Sequence, residues 1–289
     1  MALDYAALTS HEFEPIRHTY ARRDVILYAL GLGVGSVDPC DRGELRYVFE
    51  KDLVAMPTLA VVLGLDISWF AVPKFNITFH MLLHAEQSLT LHRPLPVEGT
   101  VVSRQRIEAA YDKGPERGAI LDIRRELYDA ATDEHLASVG HLMALRADGG
   151  FGGPNRSLPL PGSIPDDRDP DLRLPLPTSL NQALIYRLSG DYNPLHADPV
   201  AARAGGFDRP ILHGLAAYGM VGRALTKALC DDDAGRFRRL DIRFTSPVYP
   251  GEPLHAEVGR TGSGEAAVRL VASDRNQVVE DFGRFEFAE

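Results

Sequence analysis

The sequence predicts an α+β protein built from two similar units, each a long central helix wrapped by an antiparallel sheet. Three observations carry that expectation. The 289 residues divide at a Pro- and Gly-rich stretch. On each side of it a helical run comes before a series of strand-like runs. A short segment of the first half is also echoed in the second.

The first unit spans residues 1–150. Leu45–Phe49 has strand character, and the apolar run Asp52–Leu65 is expected to be its helix. Strand runs follow at Ser88–His92, Gly99–Ala109, Ala119–Tyr128 and Glu134–Arg146. Residues 151–177 hold Gly152, Gly153, Pro154, Pro159, Pro161, Pro165, Pro170, Pro175 and Pro177. Proline removes backbone donors and glycine disfavours regular structure, so this stretch is expected to be an extended linker.

The second unit spans residues 178–289. Ser179–Leu188 is amphipathic, with Leu180, Leu184, Ile185 and Leu188 at helical spacing. Leu215–Leu229 is a longer helical run opened by Gly214, and Gly219 and Gly222 within it allow close approach. Strand runs at Leu240–Thr245, Pro253–Arg260, Ala266–Ser273 and Val278–Phe287 are separated by turn residues such as Pro250-Gly251 and Gly262-Ser263-Gly264. A long helix and an antiparallel meander bury both apolar faces when the sheet wraps the helix. That is the hotdog architecture, here expected in tandem. Leu89 to Pro96 with Gly99 resembles Ile242 to Gly251, which supports duplication.

The charge balance narrows the function classes. A net charge of −9 argues against nucleic acid or an anionic membrane surface as the main partner. A small phosphorylated ligand needs only a local basic patch. Cys40 and Cys230 make neither a disulfide framework nor a zinc site. No targeting segment is visible at the start, the last residues are Phe-Ala-Glu, and the longest apolar run is too short to span a bilayer. A cytoplasmic location is expected.

The chemistry concentrates in Tyr186 to His196. Ser189-Gly190 ends the preceding helix, and Asn193-Pro194 forces a turn. Asp191, Asn193 and His196 are thereby held on one short rigid element, where a carboxylate and an imidazole within reach of one water make an acid–base pair. A second motif, Phe207 to Gly214, runs into the long helix. A free N–H at a helix start suits a carbonyl oxygen that gains negative charge.

These segments resemble the signature of the MaoC-like family, which includes the type 2 enoyl-CoA hydratases. In the first half Arg23–Gly31, Leu83-His84-Ala85-Glu86-Gln87, Pro94-Leu95-Pro96 and Asp112-Lys113-Gly114 resemble the eukaryotic-type tandem members. The resemblance implies a hydro-lyase that reversibly adds water to a trans-2-enoyl thioester, with a (3R) product. It implies Asp191 and His196 as the catalytic pair, Asn193 as their orienting partner and the Gly214 amide as donor to the thioester oxygen. It also implies a role for Glu86 at the substrate tunnel, with His84, Arg209, His213 and Lys113 as further substrate-binding candidates. The first half has no such motif of its own, and in the tandem members it houses the acyl chain.

No metal or nucleotide cofactor is expected beyond coenzyme A as carrier, since no Cys/His cluster or phosphate-loop glycine motif is present. Arg203, Arg209, Arg223, Arg236, Arg238 and Arg239 are candidates for its phosphates. An acyl carrier protein could take its place, and a homodimer is expected. A hotdog thioesterase and a non-catalytic acyl-thioester-binding protein are the alternatives, because fold alone does not decide function.

Overall fold

Alternating apolar positions dictate most of the strands, and in β4 (Ala119–Asp129) every second residue from Ala119 to Leu127 is buried. The computed structural model describes residues 3–165 and 168–289. In chain order the first half contributes α1 (Tyr5–Thr9), β1 (Ile16–Tyr20), α2 (Arg22–Gly31), α3 (Arg42–Leu45), β2 (Leu82–Leu91), β3 (Gly99–Asp112), β4 and β5 (His135–Leu145). The second contributes β6 (Leu172–Pro177), α4 (Gln182–Tyr186), α5 (Pro199–Ala204), α6 (Gly214–Leu229), β7 (Phe237–Phe244), β8 (Pro253–Gly262), β9 (Glu265–Ala272) and β10 (Gln277–Phe287).

Among the described residues the strands form one ten-stranded sheet in the order β1-β3-β4-β5-β2-β7-β10-β9-β8-β6. First-half strands occupy one side and second-half strands the other. They meet at an antiparallel β2–β7 seam with Glu86 opposite Arg243 and Leu89 opposite Leu240. The segments that echo each other in sequence thus begin in the two adjoining central strands. Helix α6 lies against β2, β6, β7 and β10. A Cβ at Gly222 would sit 2.6 Å from Thr58 Cγ2, and one at Gly219 2.5 Å from Leu32, so both glycines admit first-half side chains. One buried cluster therefore runs through both halves.

Four expectations are corrected. The first half has no long central helix: within Asp52–Leu65 only the 3-10 turn Pro57–Val61 forms. Pro57 holds Met56 in an extended conformation, and Gly64 takes a left-handed φ of +61° with its Cα against Ser103. Leu45–Phe49 is not a strand, because Asp41 caps the short helix α3 and turns follow. The stretch is a linker only in part, since Leu172–Pro177 joins the sheet as β6. Its prolines are tolerated because β6 is an edge strand paired only with β8. Finally, α4 faces the other way. Leu180, Leu184 and Leu188 are 81%, 52% and 50% exposed, while Gln182 and Tyr186 are buried. Gln182 donates to Gly31 O at 2.7 Å, and Tyr186 packs on Gly31 and Tyr28.

Candidate active site

A chain of turns builds the site. Helix α4 tightens into the 3-10 turn Arg187–Ser189 and breaks at Gly190, whose φ of +120° favours glycine. Asp191 Oδ1 accepts from Asn193 N–H at 3.1 Å, and Asn193 Oδ1 accepts from Leu195 N–H at 3.0 Å. Pro194 then opens the short 3-10 turn that carries His196.

The approach to α6 supplies the opposite wall. His196 Nδ1 lies 2.9 Å from Ile211 O, and His213 Nε2 lies 3.2 Å from Asp191 O. A carbonyl only accepts, so Nδ1 of His196 and Nε2 of His213 are the donors. Nε2 of His196 keeps its lone pair. The two rings stack at 3.7 Å. Burial lowers the His196 pKa, and the Asp191 charge opposes that shift. Burial, reinforced by His196, pushes His213 down to about 2, so it stacks on the His196 ring as a neutral imidazole. Gly214 opens the sixteen-residue α6, so its N–H has no acceptor within the helix.

These groups share a cavity of about 460 Å³. Asp191, Asn193, His196, His213, Gly214 and Phe244 line it from the second half, and Trp69, Phe70, Phe79, Leu82, His84 and Met143 from the first. Phe244 bridges them: its ring is 3.2 Å from a Cβ placed at Gly214 and 4.9 Å from the His84 ring.

The structure brings five of the nine sequence-selected residues to one corner of the cavity: Asp191, Asn193, His196, His213 and Gly214. His84 lies further along the same cavity, its Nε2 3.0 Å from Glu86 O. Glu86 is absent from the cavity wall; it forms a 2.7 Å ion pair with Arg243 across the β2–β7 seam. Arg209 is exposed and stacks on Tyr249 at 4.9 Å, outside the cavity wall. Lys113 bonds Asn155 and Arg156 O at the end of β3, also outside it. Of the arginines, Arg223 pairs with Glu44, Arg236 with Asp231 and Arg239 with Asp241, and Arg238 bonds backbone carbonyls. Arg203 is exposed on α5.

Asp191, His196 and His213 are also the one group among the described residues with the composition to hold a cation, their ligating atoms lying within 4.8 Å of one another. Each histidine already commits one ring nitrogen to a backbone oxygen.

Glu280 was not visible as a site residue. It lines the cavity, is 1% exposed, and neither carboxylate oxygen has a hydrogen-bond partner among the described residues. Irregular pairing on both sides of it in β10 turns Val279 and Glu280 inward together. Burial raises its pKa well above the carboxylate range. The folded state therefore holds a proton that the unfolded state releases above about pH 4.3, and stability falls as pH rises from there. Glu280→Gln is expected to stabilise the protein, with the gain in denaturation midpoint larger at pH 8 than at pH 5. No pH-dependent difference between the two proteins would mean that Glu280 is ionised and paired.

Similarity to known proteins follows the two halves. Residues 18–146 match the MFE-2 hydratase 2 N-terminal domain, and residues 164–280 match the MaoC-like domain. A probable enoyl-CoA hydratase 2 of Dictyostelium discoideum is 37% identical over 265 residues, 89% of this chain and 87% of that protein. The 3-hydroxyacyl-thioester dehydratase Y of Mycobacterium tuberculosis is 39% identical over 284 residues, 95% of each chain. A MaoC-like dehydratase crystal structure from Phytophthora capsici superposes with a TM-score of 0.85 at 33% identity, covering 98% of both chains. Relatives of this identity along nearly the whole length, together with the Asp191–His196 corner, place the chain in the MaoC-like dehydratase family, joined to an N-terminal domain of the MFE-2 hydratase 2 type.

Proposed function

We propose that the protein is a (3R)-specific 2-enoyl-CoA hydratase and 3-hydroxyacyl-thioester dehydratase. One observation carries the reading: a carboxylate, an imidazole nitrogen with a free lone pair and a free helix-start N–H all border one largely apolar cavity. Water held between Asp191 and His196 gives up a proton to this pair as its oxygen bonds to C3. The electron pair of the double bond moves toward C2 and the thioester oxygen, where the Gly214 N–H opposes the growing charge. C2 then takes that proton back from the pair, and dehydration runs the same path backwards. No metal or cofactor is used apart from the CoA carrier, which an acyl carrier protein could replace.

The two halves make a tandem hotdog in which the first unit lacks the long central helix and houses the acyl chain. This arrangement is supported by the β2–β7 seam and by the first-half aromatic and aliphatic walls of the cavity. Unpaired Cys40 and Cys230 support a cytoplasmic location. The exposed row Leu180, Leu184 and Leu188 supports a homodimer, which sedimentation would reveal.

Crotonyl-CoA and a longer trans-2-enoyl-CoA test the activity. Loss of the enoyl absorbance with the thioester intact, and a (3R)-hydroxy product on a chiral column, is the expected result. Release of free CoA thiol would instead identify a thioesterase. The pH profile is a further prediction. His196 must be neutral to accept a proton, and burial holds its pKa below 6.5. The acid limb of kcat/KM is expected below pH 6.5, with activity lost as pH falls through it; a limb centred above pH 6.5 would remove His196 from the base role.

A further inference from the structure

A second polar corner of the same cavity lies in the half that has no catalytic motif. Arg125 sits on the buried face of β4, between Ile123 and Leu127. It donates to Val61 O and Leu63 O at 2.7 Å each and to His141 Nε2 at 3.1 Å. A guanidinium only donates, so Nε2 of His141 is the acceptor and the ring proton is on Nδ1. Burial and the Arg125 charge hold His141 well below its usual pKa, so that tautomer is neutral. The Nδ1–H has no protein acceptor among the described residues, and His141 lines the cavity.

His84 stands beside it with the opposite polarity. Its Nε2 donates to Glu86 O, which leaves Nδ1 as a lone pair. The two rings are 5.3 Å apart, and His84 is the one that meets Phe244 and so faces toward Gly214. A donor and an acceptor are thus fixed side by side in a wall that also holds Leu65, Ile123 and Met143, with Gln105 as a further polar group. A plain alkyl chain covering them would leave both unsatisfied, which costs more than a hydrogen bond returns. A hydroxyl, which donates and accepts, satisfies both.

Building on the hydratase reading, we propose that His141 is a specificity-determining residue, which with His84 selects acyl thioesters carrying a hydroxyl group on the chain remote from the thioester. Saturated thioesters without a hydroxyl at C3 do not react, so binding tests this apart from turnover. Calorimetric titration would compare decanoyl-CoA with hydroxydecanoyl-CoA isomers whose hydroxyl is stepped along the chain from C5 outward. One isomer is expected to bind about tenfold more tightly than decanoyl-CoA, the worth of one or two net hydrogen bonds. His141→Leu is expected to remove that gap by weakening only the hydroxylated ligand. His141→Gln, which offers Arg125 an acceptor and the cavity a donor, is expected to keep part of it and guards against misfolding of the leucine variant. The inference is overturned if no isomer binds more tightly than decanoyl-CoA, or if His141→Leu weakens both ligands alike. Selection of a hydroxylated thioester without turnover of its enoyl form would overturn the hydratase reading and leave this one standing.

Discussion

Asp191→Asn is expected to lower kcat for hydration of a trans-2-enoyl-CoA by about 10²–10⁴-fold, the usual worth of a positioned acid–base group. Binding of saturated acyl-CoA should stay within about twofold, because no net hydrogen bond to the ligand is lost. The substitution is nearly isosteric. The amide oxygen of the new side chain would still accept from the Asn193 N–H, so the turn carrying His196 survives. What disappears is the charge next to His196. That charge opposes the lowering of the His196 pKa by burial, so the residual activity should show an acid limb displaced to still lower pH. An amide oxygen also cannot take a proton from water. Stopped-assay kinetics across pH, beside a melting curve, would check all three statements. An unchanged kcat would demote Asp191 to a cap on the turn and leave the chemistry to His196 alone.

The Asp191–His196 corner was legible because its geometry is local. Gly190, Asn193 and Pro194 set the turn that carries Asp191 and His196, and residues close in sequence fix it. The start of α6 at Gly214 was legible for the same reason. Helix α6 and the strands after it follow periodicities that one sheet wrapped on one helix enforces. The first half was harder to read. Residues 52–65 are apolar enough for a buried helix, yet Pro57 and the left-handed Gly64 divide them into short turns. The outward face of α4 was hidden because Gly31, far away in sequence, claims Gln182 and Tyr186. Glu280 was concealed by the irregular pairing of β10, which breaks the alternation that would have placed it outside. Arg125 did leave a signal. It falls in phase with Ala119, Leu121, Ile123 and Leu127, a charge where the pattern requires an apolar residue.

That misplaced charge leads to the largest stability effect expected of any single substitution. Arg125→Met should destabilise the fold by about 2–5 kcal/mol, in the range for removing one member of a buried polar network. Methionine fills much of the volume, so the loss is polar rather than a cavity. Val61 and Leu63 are buried, and their carbonyls accept from Arg125; no other side chain donates to them among the described residues. His141 Nε2 would lose its partner as well. Each stranded group costs about 1–3 kcal/mol. Relief from burying the guanidinium offsets part of the sum, since burial draws its pKa down to about 9. Arg125→Lys should recover little, because an ammonium cannot span three acceptors in the planar fork that guanidinium provides. The same contacts pin residues 61–63 just before Leu65, where the cavity wall begins. Loosening them should raise KM for long enoyl thioesters more than for crotonyl-CoA, while kcat on the short substrate holds. Urea denaturation midpoints measure the first effect and chain-length series the second. A loss below about 1 kcal/mol would mean that the two carbonyls find other donors, and that Arg125 serves only to orient His141.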